Sequence, residues 1–309
     1  MSSEFCKVVR PTQFNEELSQ LYNILQLVNA ISSAVSITTN LIVILAIYKC
    51  HSLRSPSFVM IFSLSIADFG VGSIVQPLYI ALGLAESRNS ENGEFCYLLT
   101  IYTAAVICLS GLSFFIMTFI SIDRFLAICL CMKYKRIVTT KRTVAVSVIL
   151  GLCAFVWAVV VVSKPKLRYV FSMILMPVCL IVTSFNYLNI MRILRKQQKI
   201  FRNFSSSAST AVSGISTQPA LENQSRNTAS NERYKRVLYT MIYIYCAFVV
   251  SYLPYFCYLF AVSNLGLSVS IARARHLTAT LIFFRSSVTP SMYFWRITNI
   301  RKAIWKLLY

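Results

Sequence analysis

The chain has 309 residues, 57% of them hydrophobic and 13% charged, about half the charged share (~25%) of an ordinary soluble domain. A soluble globule cannot hide that much apolar surface, and 8 glycines, 8 prolines and 10 scattered cysteines exclude collagen-like and disulfide-stapled chains. The formal charge of +20 falls in short clusters between apolar stretches, as in a polytopic membrane protein; a nucleic-acid partner would need one soluble basic face.

In chain order, Met1–Gln13 has no apolar core that would make a cleavable leader, so the first span is expected to act as its own insertion signal. Seven stretches then reach the roughly 20 residues that cross a bilayer. They lie near Tyr22–Tyr48, Ser57–Leu84, Phe95–Ile128, Thr143–Ser163, Tyr169–Ile193, Tyr234–Val262 and Ile271–Phe294. Pro77, Pro177, Pro254 and Pro290 fall inside four of them, which membrane helices tolerate because neighbours re-satisfy the freed carbonyls. These are continuous apolar runs without dyad alternation, which excludes a β-barrel. Lys164–Leu167 leaves almost no loop between spans 4 and 5. The Ser-, Thr- and Asn-rich segment 196–233 reads as a disordered loop. Beyond Tyr293, Ile297, Ile300, Ile304 and Leu308 recur at helical spacing opposite Arg301, Lys302 and Lys306, an amphipathic helix for the lipid interface. The expected fold is an all-α membrane protein: an N-terminal segment 1–21, a seven-helix bundle 22–296 and a short eighth helix 297–309.

Seven spans put the two ends on opposite sides. The loops after spans 1, 3 and 5 with the C-terminal segment carry 20 lysines and arginines, against 8 on the other side. The positive-inside rule therefore places the N-terminus outside. No metal cluster, nucleophile–base pair or phosphate-binding loop marks an enzyme.

Ionisable groups inside spans are the informative ones, since each costs about 2.5–3.5 kcal/mol at the bilayer centre on insertion scales. Asp68 in span 2, Asp123 and Arg124 at the inner end of span 3, and Arg285 in span 7 are those groups. Asn40 and Asp68, the triplet Asp123-Arg124-Phe125, the string Phe248-x-x-Ser251-Tyr252-Leu253-Pro254 and the string Thr289-Pro290-x-x-Tyr293 follow one another in register. In that order and spacing they resemble the rhodopsin-like (class A) G-protein-coupled receptors. Phe125 replaces the family's Tyr, Tyr252 its Trp and Thr289 its Asn. The short connection after span 4, with Arg285 through Arg301, is most similar to the melanocortin, lysophospholipid, cannabinoid and adenosine receptor cluster. Either Phe185 or Tyr187 stands for the family's span-5 Tyr.

The resemblance implies an extracellular ligand, a heterotrimeric G protein and arrestin as partners, in the plasma membrane. It implies that Arg124 pairs with Asp123 at rest and is released on activation; the plain alternative is an arginine snorkelling to water. Pro254, Pro290, Tyr293 and Tyr252 are the further implied switch residues. The implied ligand site comprises Tyr102, Val106, Ile107, Ser110, Tyr252, Tyr255, Phe256, Arg275, His276 and Phe283. Val106 stands where amine receptors keep an Asp, and Phe283 where opsins keep the retinal lysine, so a salt-bridged amine and retinal are both excluded. Family members hold sodium near Asp68, with Asn40 and Ser113 close by. Here a guanidinium in span 7 needs an anion and Asp68 is the one carboxylate at midplane, so an Asp68–Arg285 pair, with Thr289 beside it, is expected in place of sodium. The alternative sends Arg285 to other polar groups. Cys6 and Cys96 are the clearly external cysteines and a candidate disulfide. A seven-span channel or transporter, with Asp68 and Arg285 on an ion path, is the competing functional reading.

Overall fold

The computed structural model describes residues 16–50, 53, 55–87, 93–130, 133–211, 218–265, 268–296 and 298–308, with the backbone alone for 201–241. In lipid every backbone group must be satisfied within its own segment, and the apolar runs accordingly form long helices. They are α1 (Glu16–Lys49), α2 (Pro56–Gly70, a π-helical turn Val71–Val75, then Gln76–Ser87), α3 (Gly93–Ala105, a second π turn Val106–Ser110, then Gly111–Leu130), α4 (Thr140–Ser163), α5 (Pro165–Ala211), α6 (Gln218–Leu265), α7 (Val269–Arg296) and α8 (Thr298–Leu308). One further turn of helix, Tyr134–Ile137, lies between α3 and α4.

Sequence explains several boundaries. Pro56 and Pro165 open α2 and α5, where the missing N–H would have no partner in any case. Thr139 caps α4 by accepting the Arg142 N–H at 3.4 Å. Pro77 cannot donate to the turn before it, and the π turn Val71–Val75 lies in that turn. The connection between α4 and α5 is Lys164 alone.

The segment 196–233, expected to be disordered, is instead helical to Ala211 and again from Gln218. Extending a helix that a membrane span has already nucleated fixes one residue at a time, so a polar composition does not stop it. Likewise α1 begins at Glu16, ahead of the expected Tyr22.

The helices close into a ring: α1 packs on α2 and α7, α7 on α6, α6 on α5, α5 on α3, and α3 on α2 and α4. A Cβ on Gly72 would come within 3.0 Å of Ser36 Cβ, so glycine lets α2 approach α1 closely enough for Ser33 Oγ to donate to the Gly72 carbonyl at 2.7 Å. The α4 helix meets the bundle through a narrow stripe, Ala154, Ala158 and Val161, and turns Leu152, Phe155, Val156 and Val159 outward. On α8, Ile300, Ala303 and Ile304 are buried against the bundle while Arg301 and Lys302 are exposed; Ile297 lies outside the described residues. Among the described residues six helices are long and apolar enough to count as spans by composition. The seventh, α7, carries Arg273, Arg275 and Arg285, and its place in the ring is set by packing.

Candidate functional site

Three polar or open regions are stacked along the bundle axis. At one end is a cavity of about 200 Å³ lined by residues of all seven helices α1 to α7. Tyr102, Val106, Ile107, Ser110, Tyr252, Tyr255, Arg275, His276 and Phe283 all line it. Phe256 does not: one residue past Tyr255 turns it by about 100° on the helix, away from the face that Tyr252, Tyr255 and Leu259 present. Sequence reasoning missed Tyr22, Tyr79, Trp157 and Tyr258, which line the cavity as well. At its outer end the Tyr22 ring meets His276 edge-on at 4.4 Å, and Tyr22 stacks on Tyr79 at 5.6 Å. His276 Nδ1 lies 3.2 Å from the Tyr79 hydroxyl, and Nε2 lies 3.2 Å from an Arg275 nitrogen. Because the guanidinium can only donate, Nε2 accepts, and His276 is a neutral ring whose Nδ1–H points at Tyr79. At the inner end, Tyr252 donates to the Ser110 carbonyl at 3.2 Å, while the buried Ser110 Oγ has no protein partner. Among the described lining residues none is acidic, and Arg275 carries the one formal charge.

An aromatic triad forms the cavity floor. Phe114 stacks on Phe248 at 5.2 Å and meets Tyr252 at 4.8 Å, with Phe248 and Tyr252 5.0 Å apart. Below Tyr252 lies the second region, at midplane. Arg285 donates to Asp68 Oδ1 at 2.8 Å, both side chains having at most 1% exposure. The same carboxylate oxygen accepts from Ser113 Oγ at 2.7 Å and Ser286 Oγ at 3.2 Å. Arg285 also donates to Ser113 and, at 3.3 Å, to Thr289 Oγ1; its guanidinium carbon lies 5.7 Å from the centre of the Tyr252 ring. Asn40 lies on the neighbouring face and donates to the carbonyls of Ser36 and Ser286 at 2.9 and 3.0 Å.

A sodium ion does not fit this arrangement. The oxygens that would hold it, Asp68 Oδ1 and Ser113 Oγ, already bind a guanidinium.

Between the two regions runs a polar ladder that joins α1, α2 and α7. Asn29 donates to Thr280 at 2.9 Å, Gln76 to Ser32 at 3.1 Å, and the Ser32 and Ser287 hydroxyls lie 2.7 Å apart. A trace of it was present in the sequence, since Asn29, Ser32, Ser33, Ser36 and Asn40 recur on one helical face of span 1.

The third region is the opposite end of the bundle from the cavity. Arg124 pairs with Asp123 at 2.6 Å and donates to Ser57. Asp123 is buried, and its other oxygen accepts from the Tyr134 hydroxyl at 2.7 Å. Burial first, then the hydrogen bond to Asp123 and its charge, push the Tyr134 phenol up to about 12. Tyr134 was not anticipated; it lies in a loop and reaches the carboxylate through the turn Tyr134–Ile137. Phe125 packs beside the cluster of Tyr187, Ile190 and Leu194. Tyr187 is the inward residue of the two span-5 candidates, while Phe185 is 60% exposed on the lipid face. Pro254 and Pro290 stand inside α6 and α7, and Tyr293 is buried with its hydroxyl unpaired. Cys96 is disulfide-bonded; Cys6 lies outside the described residues.

Comparisons place this geometry among known proteins. Residues 39–168 match the family model described as "7 transmembrane receptor (rhodopsin family)". The chain is 32% identical to adenosine receptor A2b of Homo sapiens over 45% of its own length and 40% of the receptor's. It is 29% identical to adenosine receptor A3 of Canis lupus familiaris over 57% of its length and 62% of the receptor's. A longer match, 26% identical, joins 91% of the chain to 85% of trace amine-associated receptor 8a of Rattus norvegicus. The first two matches thus span less than two thirds of those relatives. The motifs, the closed ring of helices and these likenesses agree on a multi-pass membrane protein that is similar to the rhodopsin-like (class A) seven-transmembrane receptors.

Proposed function

We propose that the chain is a plasma-membrane receptor, with its N-terminus outside, that binds a small extracellular molecule in the cavity and activates a heterotrimeric G protein. The observation that carries this reading is the position of Tyr252. It lines the cavity, packs into the aromatic triad with α3, and lies over the buried Arg285 of α7. A molecule that binds there presses on a residue shared by the three helices that must move relative to one another.

Pro254, two residues further along α6, removes one backbone hydrogen bond and lets that helix bend. A ligand shifts the bundle only by its differential affinity for the two arrangements. In the resting arrangement Asp123 and Ser57 hold Arg124. When the cytoplasmic ends part, the guanidinium becomes available to the G protein, and arrestin is a second partner for the same opened face. The lining supports a ligand other than a salt-bridged amine or retinal, because no described lining residue is acidic and Phe283 occupies the retinal-lysine position. Of the ligand types in the relatives' names, adenosine, which is uncharged, suits this lining better than a cationic trace amine.

The test is a cell assay of G-protein dissociation run over a small-molecule library that includes adenosine and tyramine, with Arg124→Ala as control. A ligand-dependent signal that Arg124→Ala abolishes is expected. A topology map placing Arg124 on the outer face would overturn the reading, as would an absence of ligand-dependent dissociation from every G protein tried.

A further inference from the structure

We infer that Arg285 is a tethered cation that permanently fills the midplane position where the rhodopsin-like fold holds sodium, so that this chain does not respond to the sodium ion.

The inference starts from the state of the oxygens. Asp68 Oδ1 accepts three hydrogen bonds, from Arg285, Ser113 and Ser286. Ser113 Oγ donates to the carboxylate and accepts from Arg285, so both of its roles are filled. Thr289 Oγ1, on the same face of α7, donates to the Arg285 carbonyl at 2.9 Å and accepts from the Arg285 guanidinium. A ligand shell for a hard monovalent cation needs several oxygens turned toward one point. Here they are turned toward a planar fork of N–H donors.

Charge gives the second argument. A sodium ion against Asp68 would sit within ion-pair distance of the guanidinium, and no second anion balances it. The only other buried carboxylate among the described residues, Asp123, is held by Arg124 at the far end of the bundle. The Tyr252 face adds an attraction that a guanidinium gains and a hydrated ion does not. Some polar atoms in this layer are left over: Asp68 Oδ2 and Arg285 Nε are buried without protein partners, with Asn40 Oδ1 and Tyr293 OH in the same state.

The consequence differs in kind from a bound ion. An ion can leave, and its occupancy follows the salt outside. A side chain of α7 cannot dissociate, so α2, α3 and α7 stay tied at this level whatever the ionic composition. The inference concerns the interior of the bundle and stands or falls independently of G-protein coupling.

The experiment uses the purified full chain in nanodiscs and reads the thermal unfolding midpoint in sodium chloride against choline chloride at equal ionic strength. For the wild type the two salts should agree within about 1 °C, and for R285N/T289N, which exchanges the guanidinium for amide oxygens, sodium should raise the midpoint saturably by about 3–5 °C while potassium does not. A saturable, sodium-specific rise in the wild type overturns the inference, and so does a folded R285N/T289N that ignores sodium. Where R285N/T289N does not fold, D68N/R285Q decides. Each single variant leaves one buried charge without its partner, so the neutral pair should recover a several-fold higher yield of folded protein than either alone. A pair no better than the worse single variant overturns the inference.

Discussion

The helices α4 and α7 sit at opposite extremes of the same bundle. Between Thr143 and Ser163 α4 has no charged residue and buries only Thr143, Ala154, Ala158 and Val161. By contrast α7 carries four arginines and is the one long helix among the described residues that composition alone does not count as a span, yet Arg285, Ser286, Ser287 and Thr289 are all buried. Lipid rewards an apolar surface and is indifferent to what lies behind it. A helix facing lipid is therefore apolar all round, while a helix that holds the bundle's polar interior looks unfit for a membrane. Apolarity measures exposure to lipid, and the residues that do chemistry are found by looking where it fails.

That contrast can be broken or sharpened by substitution. The largest effect is expected at Arg285→Met, which leaves Asp68 charged, buried and alone. A loss of about 3–5 kcal/mol is expected, read as a fall in unfolding midpoint and in surface expression. Next comes the one sensitive line of α4. Ala158→Leu forces a larger side chain between α4 and its neighbours, and overpacking of this sort costs about 1–3 kcal/mol by the same readout.

At the Arg124 end of the bundle Tyr134→Phe removes one hydrogen bond to Asp123. A cost of about 1 kcal/mol to the closed latch corresponds to a basal nucleotide-exchange rate raised about five-fold, measured without ligand. Tyr134 also gives a pH test. Its phenol is raised from 10.0 to about 12 in the fold, so the contact is complete below 10 and is lost as pH rises through 12. The tyrosinate absorbance difference between wild type and Tyr134→Phe should appear in that alkaline window and be absent at neutral pH. The smallest effect is expected on the lipid face of α4, where Leu152→Ala should change stability by no more than about 0.5 kcal/mol. A large effect there would mean that α4 has a partner in the membrane.

Much of this was legible in the residues. Spans follow from apolar length, and Asp68 with Arg285 from the rule that an intramembrane charge seeks its opposite. Most of the cavity followed from family register. What escaped was decided by tertiary packing. Nothing local marks Tyr134 as a partner of Asp123, because 11 residues and a loop separate them. Gln76 and Ser287 are ordinary residues in sequence and become a ladder only when α1, α2 and α7 meet. Phe256 was avoidable, since helical rotation alone separates it from Tyr255. The helical course of 196–211 and 218–233 was hidden by composition, which describes how a peptide behaves alone and says little of one continuing an existing helix.

The single-residue junction at Lys164 has a kinetic meaning. A one-residue connection cannot fold a strand or hairpin over the aromatic chamber, so this junction itself sets no gate on a molecule that enters or leaves. The tyrosines that line the chamber, and not a lid formed by this junction, then govern how long a molecule dwells there.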